Sequence, residues 1–170
     1  MSEPSTLCLS MVLHPTSFEA WRNATLAAPE TWDDWDVLDP QPQDFVLWNR
    51  LGQVRVATVI DDILEQGRQD GTVLERSAEG RIDLVALLTS QNWREQILIL
   101  GAVRMLEGFG GTDGWALMHD YVFGQSGTAW CVRFPIWGRS ELHADAPAGI
   151  KAQADALVLP FLETARARRD

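Results

Sequence analysis

The chain has 170 residues, 46% of them hydrophobic, and carries 24 acids against 14 bases for a formal net charge of −10. That length suffices for one domain over residues 1–170 with a substantial core,, and eight tryptophans, each asking for a packed site and a partner for its indole N–H, exclude a disordered chain,. An acidic surface repels phosphate, which sets aside nucleic acid and anionic membranes as direct partners and favours a basic protein.

The first residues, Met1-Ser2-Glu3-Pro4, put no basic stretch ahead of an apolar run. No segment approaches the roughly 20 apolar residues of a membrane span, so a cytoplasmic location is expected. Residues 6–13 alternate loosely and read as a short strand or an extended arm,. A helix should then open near Thr16, with Glu19 completing a capping box and Pro15 just ahead,. Phe18, Trp21 and Leu26 would form its buried side.

The stretch from Glu30 to Asp44 is the most unusual in the chain. Glu30, Asp33, Asp34, Asp36, Asp39 and Asp44 supply six acids with no lysine or arginine among them, and Trp32 and Trp35 are interleaved. Two readings stand side by side. One is a solvated loop pinned to the core by its two tryptophans. The other is a partner-binding surface made of Glu30, Trp32, Asp33, Asp34, Trp35, Asp36 and Asp39, because aromatic anchors inside a charged rim are the anatomy of a protein interface.

Residues 44–66 carry Phe45, Trp48, Leu51, Val56, Val59, Ile60, Ile63 and Leu64 near a helical period, with Gly52 as a dividing point,. Between Asp83 and Phe109 the expectation is a short helix carrying Leu84, Leu87 and Leu88, then a longer one capped by Ser90. Trp93, Ile97, Leu100, Val103 and Leu106 mark one face of the longer helix and Leu98, Ala102 and Met105 a second. A helix apolar on two sides is covered on two sides, so this one should lie at the centre of the core. Asp113 is expected to cap a further helix with Trp115, Leu117, Met118, Tyr121 and Val122. Residues 128–137 alternate and read as an edge strand, since Pro135 cannot donate to a central ladder,. A last helix should start near Pro147 and kink at Pro160,. The fold class expected is therefore mainly α, a compact helical bundle with a minor β element, α+β being the alternative.

Chemistry is harder to find. The glycine-rich run from Gly108 to Gly114 lacks the Lys-Ser/Thr of a phosphate loop and contains Asp113, so a plain helix–helix turn is expected,. His119-Asp120 and His143-Ala144-Asp145 fall in no recognisable metal-ligand spacing,. Cys8 and Cys131 sit in apolar runs as buried, reduced thiols,. The expectation is no catalytic residue, no metal and no cofactor.

The run Leu87-Leu88-Thr89-Ser90-Gln91-Asn92-Trp93-Arg94-Glu95-Gln96, continuing to Ala102 and Leu106, resembles a bacterial HEAT-type helical hairpin: paired leucines, a Ser/Asn turn, then a Trp opening a longer helix,. The resemblance implies a scaffold that binds proteins. At the level of class, a small, acidic, tryptophan-rich chain without a catalytic set is similar to bacterial immunity proteins, which implies an antitoxin that binds and neutralises a basic effector toxin. A secretion chaperone or adaptor for an effector is the alternative, and a small hydrolase a more distant one. The oligomeric state is not legible.

Overall fold

In the computed structural model, residues 5–38, 51–70, 72–77, 79–90, 92–124 and 127–167 are described. Ten regular elements follow in chain order: β1 (Ser5–Val12), α1 (Pro15–Arg22), α2 (Val56–Asp70), β2 (Thr72–Arg76), β3 (Arg81–Ser90), α3 (Trp93–Arg104), β4 (Thr112–His119), β5 (Thr128–Phe134), β6 (Glu141–His143) and α4 (Ala148–Ala167). Short 3₁₀ turns lie at Pro29–Thr31, Trp35–Val37 and Met105–Phe109.

The six strands form one antiparallel sheet in the order β2-β3-β1-β4-β5-β6. The mainly helical bundle expected from the sequence is therefore wrong, and an α+β architecture takes its place. Alternating side chains of β1, β3, β4 and β5 feed two separate cores,. Leu7, Leu9, Met11, Leu84, Met118, Val132 and Phe134 face α1, α2 and α3. Cys8, Val85, Leu117 and Cys131 face the other way, onto α4. Helix α4 meets them with Ile150, Ala154, Val158 and Leu162, a stripe repeating every four residues,.

The correction falls on particular segments. Leu84, Leu87 and Leu88 do not form a short helix; they belong to β3. The HEAT-type hairpin does not form. Its paired leucines are split: Leu87 is buried on the α4 face, while Leu88 is exposed with a left-handed φ of 56°. It lies at an irregularity where the register jumps from Ser5↔Ser90 to Leu7↔Ala86. Thr89 bridges that gap, its Oγ1 accepting from the Leu7 N–H at 3.1 Å and donating to the Ser5 carbonyl at 2.9 Å. The helix expected after Asp113 is β4, so the glycine-rich run is a helix-to-strand turn rather than a helix–helix one. Gly110 closes it at φ 85°. The strand expected over residues 6–13 is β1, Ser5–Val12, in the middle of the sheet. β5 is an inner strand rather than an edge, flanked on one side by β4 and on the other by the three-residue β6, and Pro135 lies just beyond its end.

Other segments match their expectation in outline. Helix α1 carries buried Phe18 and Trp21 as expected, but it ends at Arg22, so Leu26 is buried beyond it, and its N-cap is His14, whose ring accepts from the Thr16 N–H, rather than Thr16. Helix α3 and its 3₁₀ extension run over Trp93–Phe109, capped by Asn92 rather than by Ser90, which ends β3, and from Gln96 to Arg104 only Leu98 is not fully buried. Helix α4 starts just after Pro147 and contains Pro160. Phe45 and Trp48 lie outside the described residues.

Candidate functional site

The acidic segment is built around a buried cation. Arg104, at the last turn of α3, is 1% exposed. Its Nη1 donates to Asp34 Oδ1 at 2.6 Å. The guanidinium carbon lies 4.8 Å from the Trp32 ring centre and 5.2 Å from that of Trp35, and the two indoles meet edge to face at 5.8 Å. Cation–π attraction is strongest where water is excluded, and here both rings exclude it. Burial pulls the Arg104 pKa down, while the hydrogen bond and charge of Asp34 and the charge of Glu107 oppose that shift. Arginine stays a cation at neutral pH all the same.

Glu107, one turn further on, joins the same network. Its Oε1 accepts from Trp32 Nε1 at 2.8 Å, and its Oε2 from the Ser140 N–H at 2.5 Å. The second oxygen of Asp34 accepts from the Leu142 N–H at 3.1 Å. Arg139 donates to the Thr31 carbonyl. Two loops distant in sequence, 29–38 and 135–142, are thus fastened to one helix end and to each other.

The seven residues assigned to a partner surface divide accordingly. Trp32 and Trp35 are 4% and 5% exposed, their rings turned into the core and their N–H groups bonded to Glu107 and to the Pro29 carbonyl. Asp34 is half-buried and paired with Arg104. Glu30, Asp33 and Asp36 are exposed, and none of them forms an ion pair among the described residues. Asp39 lies outside the described residues, as does Asp44.

The feature missed from the sequence is on the neighbouring loop. Trp137 is 88% exposed and Ile136 59% exposed. Of the other described tryptophans, Trp21, Trp32, Trp35, Trp115 and Trp130 are buried and Trp93 is half-buried. Pro135 and Gly138, the latter at φ 104°, bracket the tip. That Pro-Ile-Trp-Gly order, apolar residues between two turn formers, was the available signal. Beside the tip opens a cleft of about 610 Å³ lined by Arg81, Asp113, Trp115, Arg133 and Gln153 among others. Its charges are internally matched, Arg81 with Asp113 at 3.2 Å, and Arg133 with Glu141 of β6 at 3.2 Å.

A third polar cluster lies where α4 crosses the sheet. Asp155 accepts from Tyr121 Oη at 2.8 Å and from Lys151, whose ammonium sits 4.7 Å over the Tyr121 ring. Burial acts to raise the Asp155 carboxyl, but the Lys151 and Tyr121 hydrogen bonds outweigh it and hold the pKa below its usual value. Burial and the bond to Asp155 push the Tyr121 phenol up. His119, bonded through Nδ1 to Thr128 Oγ1 at 2.9 Å, is pushed down by burial and by Lys151, so it is neutral at physiological pH. Burial raises Cys8, and raises Cys131 to about 12, so neither thiol is a poised nucleophile,. Tyr121 and the two thiols thus keep their protons, and the Tyr121–Asp155 bond ties α4 to the segment that follows β4.

The remaining alternatives can be placed briefly. Asp120 is buried and accepts from the Phe123 N–H, capping its own turn. No group of three His, Cys, Asp or Glu side chains among the described residues could hold a metal ion. The enclosed apolar space between the sheet and α1 and α2, bordered by Leu9, Phe18 and Ile60, amounts to about 20 Å³, little more than one water,. No helix among the described residues is long and apolar enough to cross a membrane. Comparison with family models, with curated proteins and with solved structures gives no match.

Proposed function

We propose that this chain is a protein-binding module of the immunity type, which neutralises a bacterial effector toxin by occupying it. The observation that carries the reading is Trp137, 88% exposed at a loop tip while the other described tryptophans are packed. A solvated indole beside a second exposed apolar residue costs solubility and contributes nothing to the core. Tryptophan is also the side chain most enriched at the energetic centres of protein interfaces. The acidity of the chain and the protonated state of its buried thiols and Tyr121 support binding over catalysis. A reducing cytoplasm fits the cysteines: Cys8 and Cys131 lie on either side of Leu117 across three paired strands. That places them roughly 9–10 Å apart, beyond disulfide reach.

The test is affinity capture from the cells that make the protein, with the parent and with Trp137→Ala. The parent should retain one partner in near-equal amount and the variant should lose it at an unchanged melting temperature. The captured partner, expressed alone, should arrest growth, and co-expression of the parent should restore it. The same partner retained by both proteins would remove Trp137 from the interface. A harmless partner would remove the immunity reading and leave an adaptor or chaperone.

A further inference from the structure

We infer that the Trp137 loop and the acidic loop form one pre-organised docking surface, and that its occupant is a basic face of a protein partner. The inference rests on the reading of Trp137 above and adds to it a second loop, a geometry and a partner chemistry.

The two loops are joined by direct bonds. Arg139, two residues after Trp137, donates to the Thr31 carbonyl between Glu30 and Trp32. The Ser140 and Leu142 N–H groups donate to Glu107 and Asp34. Two residues of chain plus one arginine side chain span at most roughly 15 Å. A standard interface patch of about 800 Å² per partner is roughly 30 Å across, so one partner covers both loops.

Charge chooses the occupant. On the flank of Trp137 towards the cleft, Arg81 and Arg133 are neutralised by Asp113 and Glu141. On the acidic loop, Glu30, Asp33 and Asp36 are exposed without an ion pair among the described residues, and they outnumber the one exposed cation that is bonded to that loop, Arg139. A partner seated across both loops therefore meets a net negative charge at the acidic loop, three carboxylates against the guanidinium of Arg139. Lysine or arginine side chains satisfy that charge, and carboxylates or phosphates do not. A second copy of this chain, at −10 itself, is repelled,.

Arg104 supplies the pre-organisation. Stacked on Trp32 and Trp35 and bonded to Asp34, it holds the acidic loop in place before any partner arrives. Glu107 holds the other loop through Ser140. Little ordering entropy is then lost on association.

The experiment places the photo-crosslinker benzoylphenylalanine at position 137, at 33, or at 159, an exposed site on α4. Each full-length protein is irradiated in the cells that make it, and the cross-linked peptides are sequenced by mass spectrometry. Positions 137 and 33 should capture the same protein, with lysine- or arginine-rich segments at 33, and position 159 should not capture it. In lysate at low ionic strength, adding Glu30→Gln, Asp33→Asn and Asp36→Asn to the position-137 protein should lower the yield roughly tenfold, and added salt should shrink the difference. Asp33→Asn alone should act in the same direction and serves if the triple variant melts early. Capture at 137 that ignores the charge changes, or an acidic segment at 33, overturns this inference and leaves the Trp137 surface standing. A lipid, a nucleic acid or a second copy captured at 137 overturns it as well. No capture at 137 with capture at 159 overturns both readings.

Discussion

Arg104, 1% exposed, is held by two indole faces and one carboxylate, while its buried Nε–H has no hydrogen-bond partner. Removing the carboxylate alone leaves a desolvated charge behind. Asp34→Ala should therefore lower stability by about 3 kcal/mol, within the range for breaking a buried pair from one side. Arg104→Met, which keeps an aliphatic stem between the two tryptophans, should cost less, and urea denaturation of both variants reads the difference. A larger loss in Arg104→Met would mean that the cation, not the shape, holds the loop. The thiols give a second check. Cys8 and Cys131 titrate well above the ordinary 9.0 in the folded chain. Between about pH 9 and 12 the unfolded chain releases protons that the folded chain retains, so the unfolded state binds fewer and stability falls as pH rises. Tyr121 adds the same sign above about pH 10,. Unfolding free energies measured from pH 8 to pH 11 should decline, and Cys8→Ala should flatten the slope. A flat profile in the parent would show that the thiols are not held protonated.

Elements, more than residues, are where the sequence misleads. Helix α3 was legible because its apolar positions repeat over several turns, and α4 because Pro147 marks its start. β3 and β4 were not. Leu84-Val85-Ala86-Leu87 and Trp115-Ala116-Leu117-Met118 are unbroken apolar runs because both faces of those strands are covered, by α4 on one side and by α1 to α3 on the other. A doubly buried strand loses the period-two alternation that would announce it, and a short apolar run then reads equally well as a helix. The exposed Arg133 kept the alternation visible in β5, so that strand was found. In the candidate site, the burial of Trp32 and Trp35 was one of two open readings. Their partner Arg104 was hidden because it lies 70 residues from Asp34. Two substitutions test the strands and helix as placed. A methyl group on Gly114 would lie 2.3 Å from Met11 Cβ and 2.4 Å from the Ser10 carbonyl oxygen, where β1 shifts register against β4. Gly114→Ala should thus cost about 1–3 kcal/mol by overpacking, seen as a lower denaturation midpoint. Leu100→Ala, at a fully buried position, should cost about 2–5 kcal/mol, and half-buried Trp93→Ala should cost less than Leu100→Ala,. A Gly114→Ala protein as stable as the parent would contradict the close approach of these strands.

At the scale of the whole molecule, the sheet is covered on both faces, and among the described residues the two most exposed large apolar side chains, Ile136 and Trp137, lie together on the loop between β5 and β6. On the proposed reading, the net charge of −10 favours a basic partner over a second copy of the chain,. Helix α3 ends beneath that loop, and its last turns fasten both loops that present Trp137 and the exposed acids. Loop order and partner affinity are therefore coupled, and variants at Arg104 should weaken binding without touching the partner. The most direct measurement is the dissociation rate of the cognate complex, by surface plasmon resonance, for the parent and for Trp137→Ala at matched melting temperature. A central aromatic acts mainly on dissociation, and a hot spot of about 2 kcal/mol corresponds to roughly thirtyfold. A rate at least that much faster in Trp137→Ala is the predicted result. A rate equal to the parent's, with both proteins folded, would contradict the assignment of this surface.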